Sequence, residues 1–190
     1  IGYITAAQGD APSGMWGAFT DYAPQQIESL GNMKAIYAAA SVGTTIYGYT
    51  DWGEYFVIDT TESMEPTFLT GYANGWAVLG MAYDYTTETM FAIYIVGADY
   101  YLGTVNLETG EVTAVGLFTA PAHIYTLAVD AEGTIYGIGY EDGVLYDIDP
   151  ETAECTPIGS TGLVLHYIQS MTYDMNTGKL LFANYNNYIK

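Results

Sequence analysis

Lys34, Trp76, His123 and His166 each stand four or five residues ahead of one of four equivalent apolar residues, Ala38, Met81, Leu127 and Met171. A cation, an indole and two imidazoles at one recurring position could ring a single binding mouth. Close to them in sequence or repeat position lie Trp52, Tyr100 and Tyr101, whose rings suit stacking on a sugar face or anchoring a protein partner. Acids accompany them: Asp51, Asp99, Glu141 and Asp142. Carboxylates paired across a cleft could act as acid and nucleophile or base in glycoside cleavage. Two histidines and a carboxylate could also hold a transition metal, but no tight ligand spacing is present. Each Trp has as strong a claim to fill core space, and each His to be a hydrogen-bonded loop residue.

Charge narrows the list of ligands. Asp and Glu total 22 against three basic residues, for a net charge of -19. Such a chain repels phosphate backbones and anionic lipid surfaces, and nucleic acid is excluded as a partner. Half the residues are hydrophobic and 13% are charged, a balance that builds a core rather than a disordered chain. The single cysteine, Cys155, allows no intramolecular disulfide and reads as a small buried hydrophobe. No apolar run is long enough for a membrane-spanning helix, so no membrane insertion is expected. The chain begins without Met and shows no signal peptide, which is compatible with a mature secreted protein or a fragment. Twenty tyrosines and almost no Lys or Arg point to a secreted or cell-surface bacterial protein.

The elements that must position these residues are legible between 124 and 159. Four short runs, YTLAV, TIYGIGY, VLYDI and CTPIG, are separated by turn residues at 130–133, 141–143 and 149–153. Period-two patterning with Asp-Gly turns predicts an antiparallel meander of strands a, b, c and d. The b-strand aromatic recurs at Tyr3, Tyr47, Phe91, Tyr136 and Phe182, at spacings of 44, 44, 45 and 46. Four strands in a period of that length are the signature of propeller blades, which need neighbours to bury both faces.

On this pattern the chain resembles the β-propeller repeat proteins, of the kelch, WD-repeat and NHL-like kind and their secreted bacterial relatives. The likeness spans essentially the whole chain and is one of pattern, because no Trp-Asp signature or paired kelch glycines stand at the expected places. It implies an all-β fold of about four four-stranded antiparallel blades. Residues 1–31 form a partial blade, 32–72, 73–118 and 119–162 whole blades, and 163–190 a second partial blade, all in one domain. A closed small ring in which the terminal strands share a blade is expected, with part of a larger ring as the alternative.

Strand alternation then sorts the loops. The a-to-b and c-to-d connections are Asp-rich hairpins whose side chains serve the turn itself. Two of their clusters, Asp147-Ile148-Asp149 and Asp174-Met175-Asn176, could hold calcium but lack the oxygen count of a calcium loop; no cofactor is expected. The d-to-a and b-to-c connections share the other face and carry Lys34, Trp52, Trp76, Tyr100, Tyr101, His123 and His166. The expected function is a non-enzymatic extracellular or surface binding and adhesion module that recognises a glycan or protein through this aromatic, acidic face. The alternatives are a glycan-acting propeller enzyme with paired carboxylates, and a structural repeat that forms homo-oligomers through open terminal blade edges.

Overall fold

The computed structural model describes residues 2–5, 15–20, 23–72, 77–166 and 169–183. All of its regular elements are strands. The first sheet holds β1 (Gly2–Thr5), β2 (Met15–Thr20) and β3 (Ala23–Asn32). The second holds β4 (Ile36–Val42), β5 (Thr45–Thr50), β6 (Glu54–Asp59) and β7 (Thr67–Tyr72). The third holds β8 (Ala77–Asp84), β9 (Thr89–Val96), β10 (Asp99–Val105) and β11 (Val112–Leu117). The fourth holds β12 (Ile124–Val129), β13 (Ile135–Gly139), β14 (Val144–Ile148) and β15 (Cys155–Ser160). A fifth pairs β16 (Ser170–Asp174) with β17 (Lys179–Ala183). Within each sheet the strands pair antiparallel in chain order, so the repeated meander is the unit of the fold.

The sheets stack through their first strands: β4 packs on β8, β8 on β12 and β12 on β16. Each seam between sheets has its own apolar core. Trp16, Ile46, Phe56 and Ile58 fill the first; Tyr49, Tyr55, Met81 and Tyr94 belong to the second. The third is built from Leu79, Phe91, Ile93 and Leu102 on one side and Ile124, Leu127, Ile135 and Ile148 on the other. In the fourth, Ala128 and Ile138 meet Leu165 and Met171. A sheet covered on both faces needs apolar residues on both, and β9 answers with five buried residues in a row, Met90 to Tyr94. Each large side chain so buried contributes about 1.5–3 kcal/mol.

Turn chemistry closes the meanders. Asp84, buried at the end of β8, accepts hydrogen bonds from Thr86 N and Oγ1, both at 2.7 Å, and from Thr87 Oγ1 at 2.6 Å. Asp130 does the same for Glu132 N, Thr134 N and the Tyr136 hydroxyl. These carboxylates belong to the turn.

The ends of the chain pair differently from the small-ring arrangement. Sharing one blade would pair β16 with β1 or β17 with β2; among the described strands β16 and β17 pair with each other alone, and β1 with β2 alone. No pairing among the described strands closes a ring, which fits part of a larger one.

Candidate functional site

Two sheets each hold a basic side chain and a glutamate on the loop face. In the fourth sheet His123 sits just before β12, and Glu141 lies in the turn between β13 and β14. Glu141 clamps this histidine: Oε1 lies 2.5 Å from the ring Nδ1 and Oε2 accepts the backbone N–H at 2.8 Å. The His123 carbonyl accepts Tyr140 N–H at 2.8 Å, closing the loop. Both side chains remain about half exposed. Burial works against ionisation of Glu141, yet the hydrogen bonds from His123 outweigh it and hold its carboxyl below the usual range. An ionised Glu141 makes Nδ1 the donor and leaves Nε2, which has no partner among the described residues, for a hydrogen bond to a ligand.

Tyrosines from two sheets surround that imidazole. The Tyr100 ring, at the start of β10, lies 4.5 Å from the His123 ring, and the Tyr125 ring lies parallel to it at 6.3 Å. The Tyr100 hydroxyl donates to that of Tyr125 at 2.9 Å. Tyr140 meets Tyr125 edge-on at 4.7 Å. Burial first, and then the contact with Tyr100, push the Tyr125 hydroxyl well above its usual value. The group therefore offers partly buried apolar ring faces, neutral hydroxyls and one carboxylate-fixed imidazole at the third seam.

In the second sheet Lys34 stands two residues before β4, and Ala35, whose carbonyl accepts Asp51 N–H, holds the place of His123. The Lys34 ammonium donates to Glu54 Oε1 at 2.6 Å and contacts Oε2, while lying 5.5 Å from the Phe68 ring centroid. Trp52, in the turn before Glu54, is 79% exposed.

Among the described residues no hydrogen bond, ion pair or ring contact joins Lys34, His123 and His166 to one another; each of the first two binds a glutamate of its own sheet. His166 is partly buried, and its carbonyl accepts Gln169 Nε2 at 2.6 Å. Trp76 lies outside the described residues. Tyr100 and Tyr101 part company because successive strand residues face opposite sides: Tyr101 stacks on Tyr94 at 5.4 Å, against the core of the second seam. Trp16 is 2% exposed and is core.

Sequence reasoning missed Tyr125 and Tyr140 as members of the group. The available signal was a basic side chain shortly before strand a with a glutamate in or just after the following b-to-c turn, which holds for Lys34 with Glu54 and for His123 with Glu141. Two of the four carboxylates named for catalysis are engaged. Asp142 accepts Val144 N–H at 3.0 Å and the Tyr146 hydroxyl at 2.7 Å, and Glu141 is held by His123. Among the described residues no group of three or more His, Cys, Asp or Glu side chains could hold a metal ion, and no helix is long and apolar enough to cross a membrane.

No protein-family model matches the chain, and no curated protein does. Its architecture is similar to that of solved propeller structures. A chain of a nidogen/laminin complex aligns at a TM-score of 0.61 and 12% identity, over 90% of this chain and 66% of that one. The PQQ-bound aldose sugar dehydrogenase of Streptomyces coelicolor aligns at 0.57 and 15%, over 81% and 57%. A glutaminyl cyclase of Myxococcus xanthus aligns at 0.57 and 19%, over 90% and 77%. The chain therefore spans about two thirds of the first of these and less of the second. At such identities the likeness carries the fold: the chain is a β-propeller repeat protein built of four-stranded antiparallel blades. It also corrects one expectation. Two of these propellers are enzymes by name, so the fold gives no ground for setting the chain apart as a non-enzyme.

Proposed function

We propose that this propeller recognises a glycan on its loop face, at the seam of the third and fourth sheets, in an extracellular or bacterial surface setting. The observation that supports the reading is the tyrosine group around His123: ring faces for the C–H side of a sugar, and hydroxyls with a fixed imidazole for its OH groups. Its members come from strands and short turns, so the group is held in place before a ligand arrives. A protein ligand is the second reading, favoured by the likeness to a propeller taken from a nidogen/laminin complex.

A panel of immobilised neutral and acidic glycans separates the two. Wild-type protein is expected to bind a neutral subset. Tyr100→Ala is expected to abolish that binding and, because the ring packs against the third-seam core, to lower the melting temperature by several degrees while the protein stays folded at about 25 °C by circular dichroism. Binding unaffected by the substitution would remove the seam from consideration, and an empty panel would turn attention to protein ligands.

A further inference from the structure

We infer that the loop face holds two subsites, one on the second sheet and one at the seam of the third and fourth, and that its ligand is a neutral polysaccharide long enough to reach both. This rests on the reading of the loop face as a glycan site and extends it from a sugar to a polymer.

The two subsites are built alike from residues at different positions. Lys34 and His123 both lie just ahead of strand a, and each is bound to a glutamate of its own sheet, Glu54 at the start of β6 or Glu141 in the b-to-c turn. Backbone hydrogen bonds close both loops, Asp51 N–H to Ala35 O and Tyr140 N–H to His123 O, so Lys34 stands one residue ahead of the counterpart of His123. Aromatic surface stands beside each pair. In the second sheet it is supplied by Trp52 and by Phe68, 43% exposed under the Lys34 ammonium.

The exposure of Trp52 is built in. Its own N–H and that of Glu54 reach Thr50 Oγ1 at 3.3 and 3.2 Å, and Gly53 N–H reaches Thr50 O at 2.9 Å. Gly53 takes a φ of 77°, which a side chain at that point would resist. An indole presented to solvent from so well-tied a turn is positioned for a partner.

Charge selects the polymer. Lys34 is neutralised by Glu54, and the chain as a whole carries -19. A polyanionic chain would be repelled along its whole length, whereas a neutral one meets ring faces and hydrogen-bonding groups. The third sheet separates the two subsites, so a single sugar cannot touch both. A polymer can, and its second contact is then intramolecular, which multiplies affinity without any new type of contact.

The test uses calorimetric titration with cello-, xylo- and manno-oligosaccharides, from disaccharide to octasaccharide, with polygalacturonate as the anionic control. For the linkage that binds, affinity should rise by about 10²-fold with length. Trp52→Ala should abolish the rise, and Trp52→Phe should restore it; Tyr100→Ala should weaken every length. Length-independent binding that Tyr100→Ala removes overturns the two-subsite inference alone. Equal long-chain affinity for Trp52→Ala, or tighter binding of polygalacturonate, also overturns it. Absence of binding to every probe overturns the glycan reading and the inference together.

Discussion

Glu141 commits both oxygens to one neighbour, the ring and the backbone N–H of His123. That is how an exposed imidazole on a loop acquires a fixed orientation. The turn aspartates use the same means for stability. Burial alone would raise the carboxyl of Asp84, but hydrogen bonds from Thr87 and Thr86 outweigh it and hold it below the ordinary value of 3.8. Asp130 is lowered likewise by Thr134 and Tyr136 against its own burial. A carboxyl lowered by folding contributes stability that is present above its unfolded value and is lost as pH falls through its folded value. Thermal melts taken from neutral pH downward should therefore show stability declining below about pH 4. Asp84→Asn should lose about 1–3 kcal/mol at neutral pH and show a shallower acid decline. An unchanged acid decline in the variant would mean that other groups set it. At this scale the sequence was partly readable. The Asp-rich hairpins were identified from Asp and Gly alone, because their chemistry is local. Tyr125 was not, because a tyrosine in a strand looks like strand propensity, and its contact with Tyr100 bridges two sheets and 25 residues.

The outer strands carry a recurring irregularity that no period reveals. Between β10 and β11 the pairing steps from Leu102 with Gly116 to Gly103 with Ala114, leaving Val115 unpaired in a bulge. Between β14 and β15 the same step leaves Ile158 unpaired, and between β2 and β3 it leaves Leu30. A bulge turns one extra side chain out of the alternation. Leu30 and Val115 pack against the cores of the seams that follow them, whereas Ile158 is 55% exposed. Val115→Ser should therefore cost about 1–2 kcal/mol and Ile158→Ser within about 0.5 kcal/mol, as measured by urea unfolding. Equal costs would show that the bulge residues do not couple neighbouring sheets. The run lengths and turns that announce four strands per repeat are written in apolar periodicity. The bulges, and the side of the sheet that Tyr100 or Tyr101 faces, depend on register between strands, which a single sequence does not encode locally.

Among the described residues, sheets whose first strands pack in succession place the d-to-a and b-to-c loops on one side and the Asp hairpins on the other. The proposed site and the turns that carry stability thereby lie on different faces. The spacing of the aromatics near 45 residues is enough to infer that arrangement. It is not enough to infer the partners of the loop residues, Glu54 for Lys34 and Glu141 for His123. The most direct measurement is amide chemical-shift mapping of isotope-labelled protein titrated with the neutral oligosaccharide that binds best. The account predicts perturbations at 99–101, 122–125 and 139–143, joined by 33–35 and 50–54 when the oligosaccharide is long. Perturbations centred on the hairpins at 84–89 and 130–134, or along the outer strands β7, β11 and β15, would contradict it.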